Sequence, residues 1–244
     1  MRAYIETNHK GELFKDGFRV LKYDVSGWNG KPDKGDVLVV WNINKQNRSI
    51  VGEAKNKGCT ILVAENGYIG SDDNGNRLIA LAKDNHAGLG RWNIGTEKRY
   101  LKHNFTIKDW RVSGDEIIIL AQRGIGCATD IEWAYKIAKE LKTDKKIIIR
   151  EHPAKKHREN PVEQALDNAY CAVTWSSGAG IKAIAYGVPV MYCMEGWIGG
   201  KAASRDLHNL YKGDREPMFH ALGWAQWTQR EISTGEALEV LLCE

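Results

Sequence analysis

The chain has 244 residues, of which 43% are hydrophobic and 27% charged, a composition typical of a globular protein with one large domain or two small ones. No apolar run approaches the roughly 20 residues of a membrane-spanning helix, and the N-terminal residues turn polar too early for a secretion signal. The net charge of +4 permits an acidic partner without requiring one. Five scattered cysteines favour reduced thiols in a cytoplasmic protein over a disulfide framework.

The first half of the chain alternates predicted strands with polar loops. A strand at Val37–Trp41, a helix over residues 47–57 and a strand at Cys59–Ala64 form a βαβ unit, which implies parallel pairing. Residues 66–76 are rich in glycine, asparagine and aspartate, so they are predicted to form a loop. Another strand is predicted at Arg77–Ala82.

The second half has a clearer alternation of buried strands and helices. Its predicted strands are Glu116–Leu120, Lys146–Arg150, residues 171–175 and Val188–Cys193, and its predicted helices are Ile131–Leu141, residues 161–168, Ile181–Tyr186, residues 206–210 and residues 219–242. This order is typical of a doubly wound parallel sheet. The chain is therefore predicted to be an α/β protein with two Rossmann-like domains, residues 1–112 and 113–244, facing across a cleft.

Chemistry-bearing residues follow three strands of the second half. Gln122-Arg-Gly124 follows the first strand, Arg150-Glu-His-Pro153 ends the second, and Ser176-Ser-Gly178 follows the third. Because ligands bind at the carboxyl ends of parallel strands, these segments are predicted to converge on one site. The turn at Ser176–Gly180 is expected to offer free backbone N–H groups and a helix N-terminus to an anion such as phosphate.

The side chains of this edge suit a diphosphate, since arginine and histidine supply positive charge and serine supplies hydroxyl donors. The predicted binding residues are Arg123, Gly124, Arg150, His152, Pro153, Ser176, Ser177, Gly178 and Gly180. The sequence contains neither a dinucleotide fingerprint nor a P-loop. His152 and His157 are poorly spaced for metal ligation across Pro153, so no metal site is predicted.

Two stretches of the second half resemble glycosyltransferases of the GT-B fold. Arg150-Glu-His-Pro153 and Thr174–Val190 are similar to the nucleotide-sugar-binding half of capsular-polysaccharide-type members, and Ala64–Gly70 is similar to an acidic loop in their first domain. The tail Leu222–Gly235 resembles bacteriophage members that glycosylate modified DNA bases. The resemblance covers most of residues 59–240.

The resemblance implies a metal-independent transferase whose donor is a nucleotide-diphosphate sugar, with a UDP-sugar as the first expectation. The helix that follows the Ser-Ser turn usually carries a glutamate in that group, whereas this chain has Lys182. Glu195, after the fourth strand, is therefore the expected substitute for a ribose contact.

The resemblance also implies that the first domain brings the acceptor and a general base. Glu65 is predicted to end a strand and begin a glycine-rich loop, and it is the first choice; a turn-stabilising carboxylate is the competing interpretation. Asp84 and His86 are rival bases in the aperiodic loop over residues 83–96, although His86 also fits an ordinary loop donor.

The acceptor is predicted from charge. Lys98-Arg-Tyr-Leu-Lys102, Lys108 and Arg111 fit a DNA backbone beside a flipped base, so the expected acceptor is a 5-hydroxymethylpyrimidine in phage DNA, within the host cytoplasm. A solvated linker face is the alternative interpretation of this basic cluster, and a surface glycan is the alternative acceptor. A non-catalytic nucleotide- or DNA-binding module and a sugar-nucleotide epimerase are alternatives of other classes.

Overall fold

The chain forms two compact units. A computed structural model describes residues 1–85, 88–122, 131–152 and 161–243. Unit 1 comprises Met1–Asn104 and His220–Glu244, and unit 2 comprises Phe105–Phe219. This division differs from the predicted one, because the segment after residue 219 belongs to unit 1 and not to the second half of the chain.

Strands and helices alternate along most of the chain. The strands are β1 (Arg2–Glu6), β2 (Asp24–Ser26), β3 (Val37–Trp41), β4 (Thr60–Ser71), β5 (Arg77–Lys83), β6 (Glu116–Leu120), β7 (Lys146–Arg150), β8 (Ala169–Thr174), β9 (Val190–Tyr192) and β10 (Gln226–Trp227). The helices are α1 (Gly11–Val20), α2 (Arg48–Asn56), α3 (Trp133–Glu140), α4 (Val162–Ala165), α5 (Gly178–Ala185), α6 (Glu216–Ala225), α7 (Gln229–Ser233) and α8 (Glu236–Leu242). The predicted α/β class with parallel sheets is confirmed. None of the helices in the described ranges is long and apolar enough to cross a membrane.

Unit 1 contains a six-stranded sheet in the order β10-β5-β4-β3-β1-β2. The four strands β2, β1, β3 and β4 are parallel, whereas β5 and β10 are antiparallel to their neighbours. Strands β1 and β2 and helix α1 were not predicted. Their short length and the polar residues between them hid the pattern, although Phe14 and Phe18 have helical spacing and are fully buried.

The C-terminal segment completes the core of unit 1. Trp227, Ile232, Leu238 and Leu241 are fully buried in the same cluster as the strand residues and Phe18. Burying such large apolar side chains stabilises this arrangement by roughly 1.5–3 kcal/mol each. The prediction that residues 113–244 form one domain therefore differs from the structure at the C-terminal segment. The apolar residues of that segment pack in the core of unit 1, and no local sequence pattern indicates such a long-range contact.

Strand β4 is longer than predicted. It continues through residues 66–71, which were predicted to form a loop, and it carries an irregularity in its pairing with β5. Asn66 pairs with Ile79 and Ser71 pairs with Arg77, so five residue steps on β4 face two on β5. The glycine and asparagine content that suggested a loop therefore reflects a bulged strand.

The buried amide of Gln226 holds the bulged part of β4. Its Oε1 accepts hydrogen bonds from the backbone N–H groups of Tyr68 at 3.0 Å and Ile69 at 3.4 Å. Its Nε2 donates to the Ile69 carbonyl oxygen at 2.8 Å and lies 3.1 Å from Nδ1 of His103. Because an amide nitrogen only donates, His103 accepts through an unprotonated Nδ1.

Unit 2 contains a four-stranded sheet in the order β7-β6-β8-β9. All of its pairs are parallel, as predicted. Helix α3 packs against β6 and β7, and α5 packs against β8 and β9. Residues 206–210, predicted to be helical, instead form turns. The connection that follows β6 leads toward one edge of the sheet, and the connection that follows β8 leads toward the other edge. The topological switch point therefore lies between the carboxyl ends of β6 and β8.

Gly70 tests the bulge of β4. Its φ is +79°, and a Cβ at this position would lie 1.9 Å from the His103 carbonyl oxygen. We expect Gly70→Ala to lower the free energy of unfolding by at least about 2 kcal/mol, measured by urea titration. Gly52 is the control because it lies in α2 with open space around it, so Gly52→Ala is expected to raise stability by about 0.5–1 kcal/mol. Equal effects of the two substitutions would contradict this account.

His103 makes unit 1 sensitive to mild acid. Burial, aided by the charge of Arg99, lowers the pKa of His103 from 6.5 to about 4. The unfolded chain therefore binds a proton below about pH 6.5 that the folded chain refuses, so this histidine's contribution to stability is present in full above that pH and is lost as the pH falls toward 4. The difference corresponds to about 3 kcal/mol.

We expect the Tm to fall between about pH 7 and pH 5, and to fall less in His103→Asn. Thermal melts of both proteins across this range measure the difference. Parallel curves would rule out His103 as the group responsible.

Candidate functional site

The switch point of unit 2 is closed by a pair of hydrogen bonds. Gln122 follows β6 and Ser176 follows β8. The backbone N–H of Ser176 donates to Gln122 Oε1 at 2.9 Å, and Gln122 Nε2 donates to Ser176 Oγ at 3.3 Å. This pair, called here the Gln122–Ser176 clasp, brings together two of the predicted strand ends. Gln122 is not among the predicted binding residues, because an uncharged glutamine does not by itself indicate a phosphate site.

Three backbone donors at the start of α5 already have partners within the protein. The Ser177 N–H donates to Thr174 Oγ1 at 2.9 Å, and the Ala179 N–H donates to Ser177 Oγ at 3.1 Å. The Gly180 N–H donates to the Ser177 carbonyl oxygen at 3.0 Å. The prediction of free N–H groups is therefore wrong for these three residues. The positive end of α5 remains at this edge of the sheet.

The two glycines of the turn have different positions. Gly178 is the first residue of α5. Gly180 packs against the indole of Trp197, and a Cβ there would lie 2.8 Å from the ring and 3.1 Å from Cγ2 of Thr174. The structure thus explains Gly180 by close packing, and its predicted contact with a phosphate has no support in this geometry.

The positive residues of the second strand end lie near a carboxylate. Arg150 is the last residue of β7 and pairs with Leu120 at the end of β6. Burial lowers the pKa of Arg150, and the charge of Glu163 opposes that shift. Lys182 Nζ lies 3.6 Å from Glu163 Oε1, so Glu163 neutralises Lys182 in part. His152 is half-buried beyond the strand end.

Glu195 lies at the same edge of the sheet. The Cys193 N–H donates to the Thr174 carbonyl oxygen, and the Met194 N–H donates to that of Trp175, each at 3.0 Å. Glu195 is exposed on the turn that follows Met194. Arg150, Ser176 and Glu195 thus follow three strands of one parallel sheet, whose order is β7-β6-β8-β9, and their convergence on one ligand stays a prediction.

Four predicted residues lie outside the described part of the chain. They are His86, Arg123, Gly124 and Pro153. Their assignments stay predictions from the sequence.

Glu65 lies within β4, not at its end as predicted. It pairs with Ala80 of β5, one residue beyond the Ala64–Trp41 pair at the end of β3. This position is the carboxyl edge of the parallel strands of unit 1. Glu65 Oε1 accepts a hydrogen bond from the Tyr68 hydroxyl at 2.6 Å. Burial, and then the charge of Glu65, raise the pKa of Tyr68 well above 10.

Asp84 lies toward the opposite edge of the sheet. Its N–H donates to the carbonyl oxygen of Ile61 at 2.9 Å, four residues or roughly 13 Å along β4 from Glu65. Its Oδ2 accepts from both Nε and Nη2 of Arg91, at 2.9 and 2.6 Å. Asp84 therefore fits a loop-stabilising role, and the structure does not place it with Glu65 as an interchangeable base.

The predicted DNA-binding cluster is largely engaged within the protein. Arg99 is buried, with its guanidinium 3.9 Å from the Trp227 ring centre and 2.7 Å from Glu231. Lys102 pairs with Glu97 at 2.5 Å. Lys108 lies over the Tyr186 ring, and Arg111 donates to the carbonyl oxygen of Asp167. These contacts support the alternative interpretation of the cluster, that of a structural feature.

Unit 1 has a second topological switch point, which was not predicted from the sequence. It lies between β1 and β3, where the rings of His9 and Trp41 meet edge to face at 4.4 Å. A cavity of about 270 Å³ lies beside it, lined by Thr7, Asn8, Lys10, Gly11, Glu12, Leu13 and Lys15. Burial lowers the pKa of Lys10. Two adjacent signals, the short apolar run Ala3–Ile5 and Gly11 before a helical pattern, could have located this loop.

Comparison with known proteins gives a match in structure alone. No protein-family model and no curated protein matches the chain. The KpsC beta Kdo 2,4 transferase of Thermosulfurimonas dismutans aligns with a TM-score of 0.60 at 14% identity, over 91% of this chain and 90% of that one. The KpsC beta Kdo 2,7 transferase of the same organism aligns with a TM-score of 0.59 at 12% identity, over 98% and 99%.

The chain has a glycosyltransferase fold. The similarity spans nearly the whole length of both partners, so it covers both units. It agrees with the glycosyltransferase resemblance of the second-half motifs, whereas the predicted GT-B arrangement of two domains stays a prediction. The matched proteins are Kdo transferases, so the comparison does not support the resemblance to bacteriophage enzymes that modify DNA. The tail that suggested those enzymes is a packing element of unit 1.

The Gln122–Ser176 clasp can be tested by binding. If the predicted nucleotide donor binds at this switch point, we expect Gln122→Leu to weaken the binding of UDP about tenfold, because it removes two hydrogen bonds that shape the strand ends. Isothermal titration measures the affinity. Gln164→Leu, an exposed glutamine on α4, is the control and should leave the affinity unchanged. Equal affinity in Gln122→Leu and wild type would show that the clasp has no part in the predicted nucleotide binding.

Proposed function

We propose that this chain is a glycosyltransferase that moves a sugar from a nucleotide donor to an acceptor hydroxyl. In this reaction the bond between the anomeric carbon and the donor phosphate breaks, and a bond from that carbon to the acceptor oxygen forms. The leaving phosphate takes the electron pair, and the acceptor proton passes to a base. The observation that carries the proposal is the fold shared with the KpsC transferases over about nine-tenths of the chain.

The donor is assigned to unit 2. Its switch point is where ligands bind in doubly wound sheets, and the Gln122–Ser176 clasp lies there. Arg150 and His152 stand at the neighbouring strand end and would meet the negative charge that builds on the leaving phosphate. The N-terminus of α5 adds a dipole of the favourable sign.

Glu65 of unit 1 is proposed as the base. A carboxylate at the carboxyl edge of parallel strands is placed for chemistry, whereas Asp84 is ion-paired at the other edge. The 2.6 Å hydrogen bond from Tyr68 shows that the Glu65 carboxylate has an ordered donor partner.

The first donor sugar to test is Kdo, because both matched proteins are Kdo transferases. Kdo is an acidic sugar, and the positive side chains near the clasp suit a donor that carries negative charge on both phosphate and sugar. A UDP-sugar is the alternative donor.

A glycan hydroxyl is the proposed acceptor. The basic residues that favoured DNA are engaged with Glu231, Glu97, Tyr186 and Asp167, so the charge argument for a DNA backbone is weak. DNA containing 5-hydroxymethylpyrimidine is kept as an arm of the test.

The test is a transfer assay with mass detection of products. The full chain is incubated with nucleotide-activated Kdo and with UDP-sugars, each against glycan acceptors and against hydroxymethylated and plain DNA. We expect sugar transfer to a glycan by the wild type and a loss of at least about 100-fold in Glu65→Gln, with donor affinity unchanged.

Asp84→Asn is the matched control, since it removes a carboxylate that is ion-paired away from Glu65. It should keep near wild-type turnover. Turnover retained in Glu65→Gln would reject Glu65 as the base. Nucleotide binding without turnover of any donor would favour the non-catalytic module instead.

A further inference from the structure

Tyr68 and Glu65 form a short hydrogen bond in an arrangement that a regular strand cannot produce. Side chains alternate between the two faces of a strand, so residues three apart point to opposite sides. The pairing irregularity between Asn66 and Ser71 breaks this alternation. It lets the Tyr68 hydroxyl reach Glu65 Oε1 at 2.6 Å.

The contact has the features of a charge-assisted hydrogen bond. A phenol donating to a carboxylate at this distance is stronger than a neutral pair. Burial raises the pKa of Tyr68 well above 10, so the hydroxyl keeps its proton and remains a donor throughout the range in which enzymes work. The direction of the hydrogen bond is therefore settled: Tyr68 donates and Glu65 accepts.

Elements distant in sequence hold Tyr68 in place. Gln226 binds the backbone N–H of Tyr68 at 3.0 Å, and its other contacts fix the next residue and His103. Gly70 allows the bulge to approach the His103 carbonyl oxygen. An irregular strand that is held by several buried hydrogen bonds is typical of functional sites.

We propose that Tyr68 is a positioning residue that holds the Glu65 carboxylate oriented for proton abstraction. The proposal rests on the proposed function, because it needs Glu65 to act as the base. A donor fixed on one carboxylate oxygen restricts the rotation of the side chain and so keeps the other oxygen in one direction. Tyr68 itself does not contact or transfer the proton of the acceptor hydroxyl.

The experiment is kinetic and uses the full chain with the donor and acceptor that give turnover. We expect Tyr68→Phe to lower kcat five- to twentyfold, the effect of losing one hydrogen bond to a charged group, with the donor KM within about twofold. A fall in kcat without a matching rise in the donor KM is expected of a residue that orients the base, and general damage to the fold would not produce it.

Tyr4→Phe is the matched control. This substitution removes a tyrosine hydroxyl of unit 1 that donates to the Lys31 carbonyl oxygen at 3.2 Å. Like Tyr68→Phe, it therefore deletes one hydrogen bond of a tyrosine hydroxyl, but this hydrogen bond does not involve Glu65. Its kcat and donor KM should match those of the wild type. The double variant Glu65→Gln/Tyr68→Phe should be no slower than Glu65→Gln alone, because a residue that acts through Glu65 has no effect once that carboxylate is gone.

The outcomes separate the two proposals. Loss of activity in Glu65→Gln together with a wild-type kcat in Tyr68→Phe overturns the positioning role and leaves the assignment of the base intact. An equal further loss in the double variant also overturns it, since Tyr68 would then act independently. Full turnover in Glu65→Gln overturns the base and, with it, the role of Tyr68.

Discussion

The buried amide of Gln226 is the interaction on which unit 1 depends. It satisfies backbone groups of the β4 bulge and orients His103 from a segment more than 120 residues away in the chain. An unpaired polar group in that position costs about 1–3 kcal/mol, so the tail, the bulge and the histidine form one cooperative arrangement. The position of Tyr68, and through it the hydrogen bond to Glu65, follows from this arrangement.

The two units use the same order of parallel strands. In each, the second strand along the chain lies outside the first, and the third and fourth follow on the other side. Each therefore has a crevice between its first and third strands, closed by the Gln122–Ser176 clasp in unit 2 and by the His9–Trp41 contact in unit 1. Chemistry at the carboxyl edges is a consequence of topology, which is why residues of different types occupy equivalent places.

Two features that suggested DNA have structural explanations. Arg99 is sandwiched against the rings of Trp224 and Trp227 and pairs with Glu231, so its charge stabilises the packing of the tail. The tryptophans of the tail belong to the same contact. A positive charge and aromatic residues that are more than 120 positions apart in the chain thus pair with each other, and the composition of a segment does not reveal whether its charge faces solvent.

The sequence by itself determined the α/β class, the parallel strands of unit 2 and the position of Arg150 and Ser176 at the carboxyl ends of its strands, because strand periodicity and the shared edge of parallel strands are local rules. The tertiary structure alone decided where the tail packs, that β4 continues as a bulged strand, and that Tyr68 reaches Glu65. These depend on hydrogen bonds and buried contacts between distant segments, above all those of Gln226, which leave no periodic trace in the sequence.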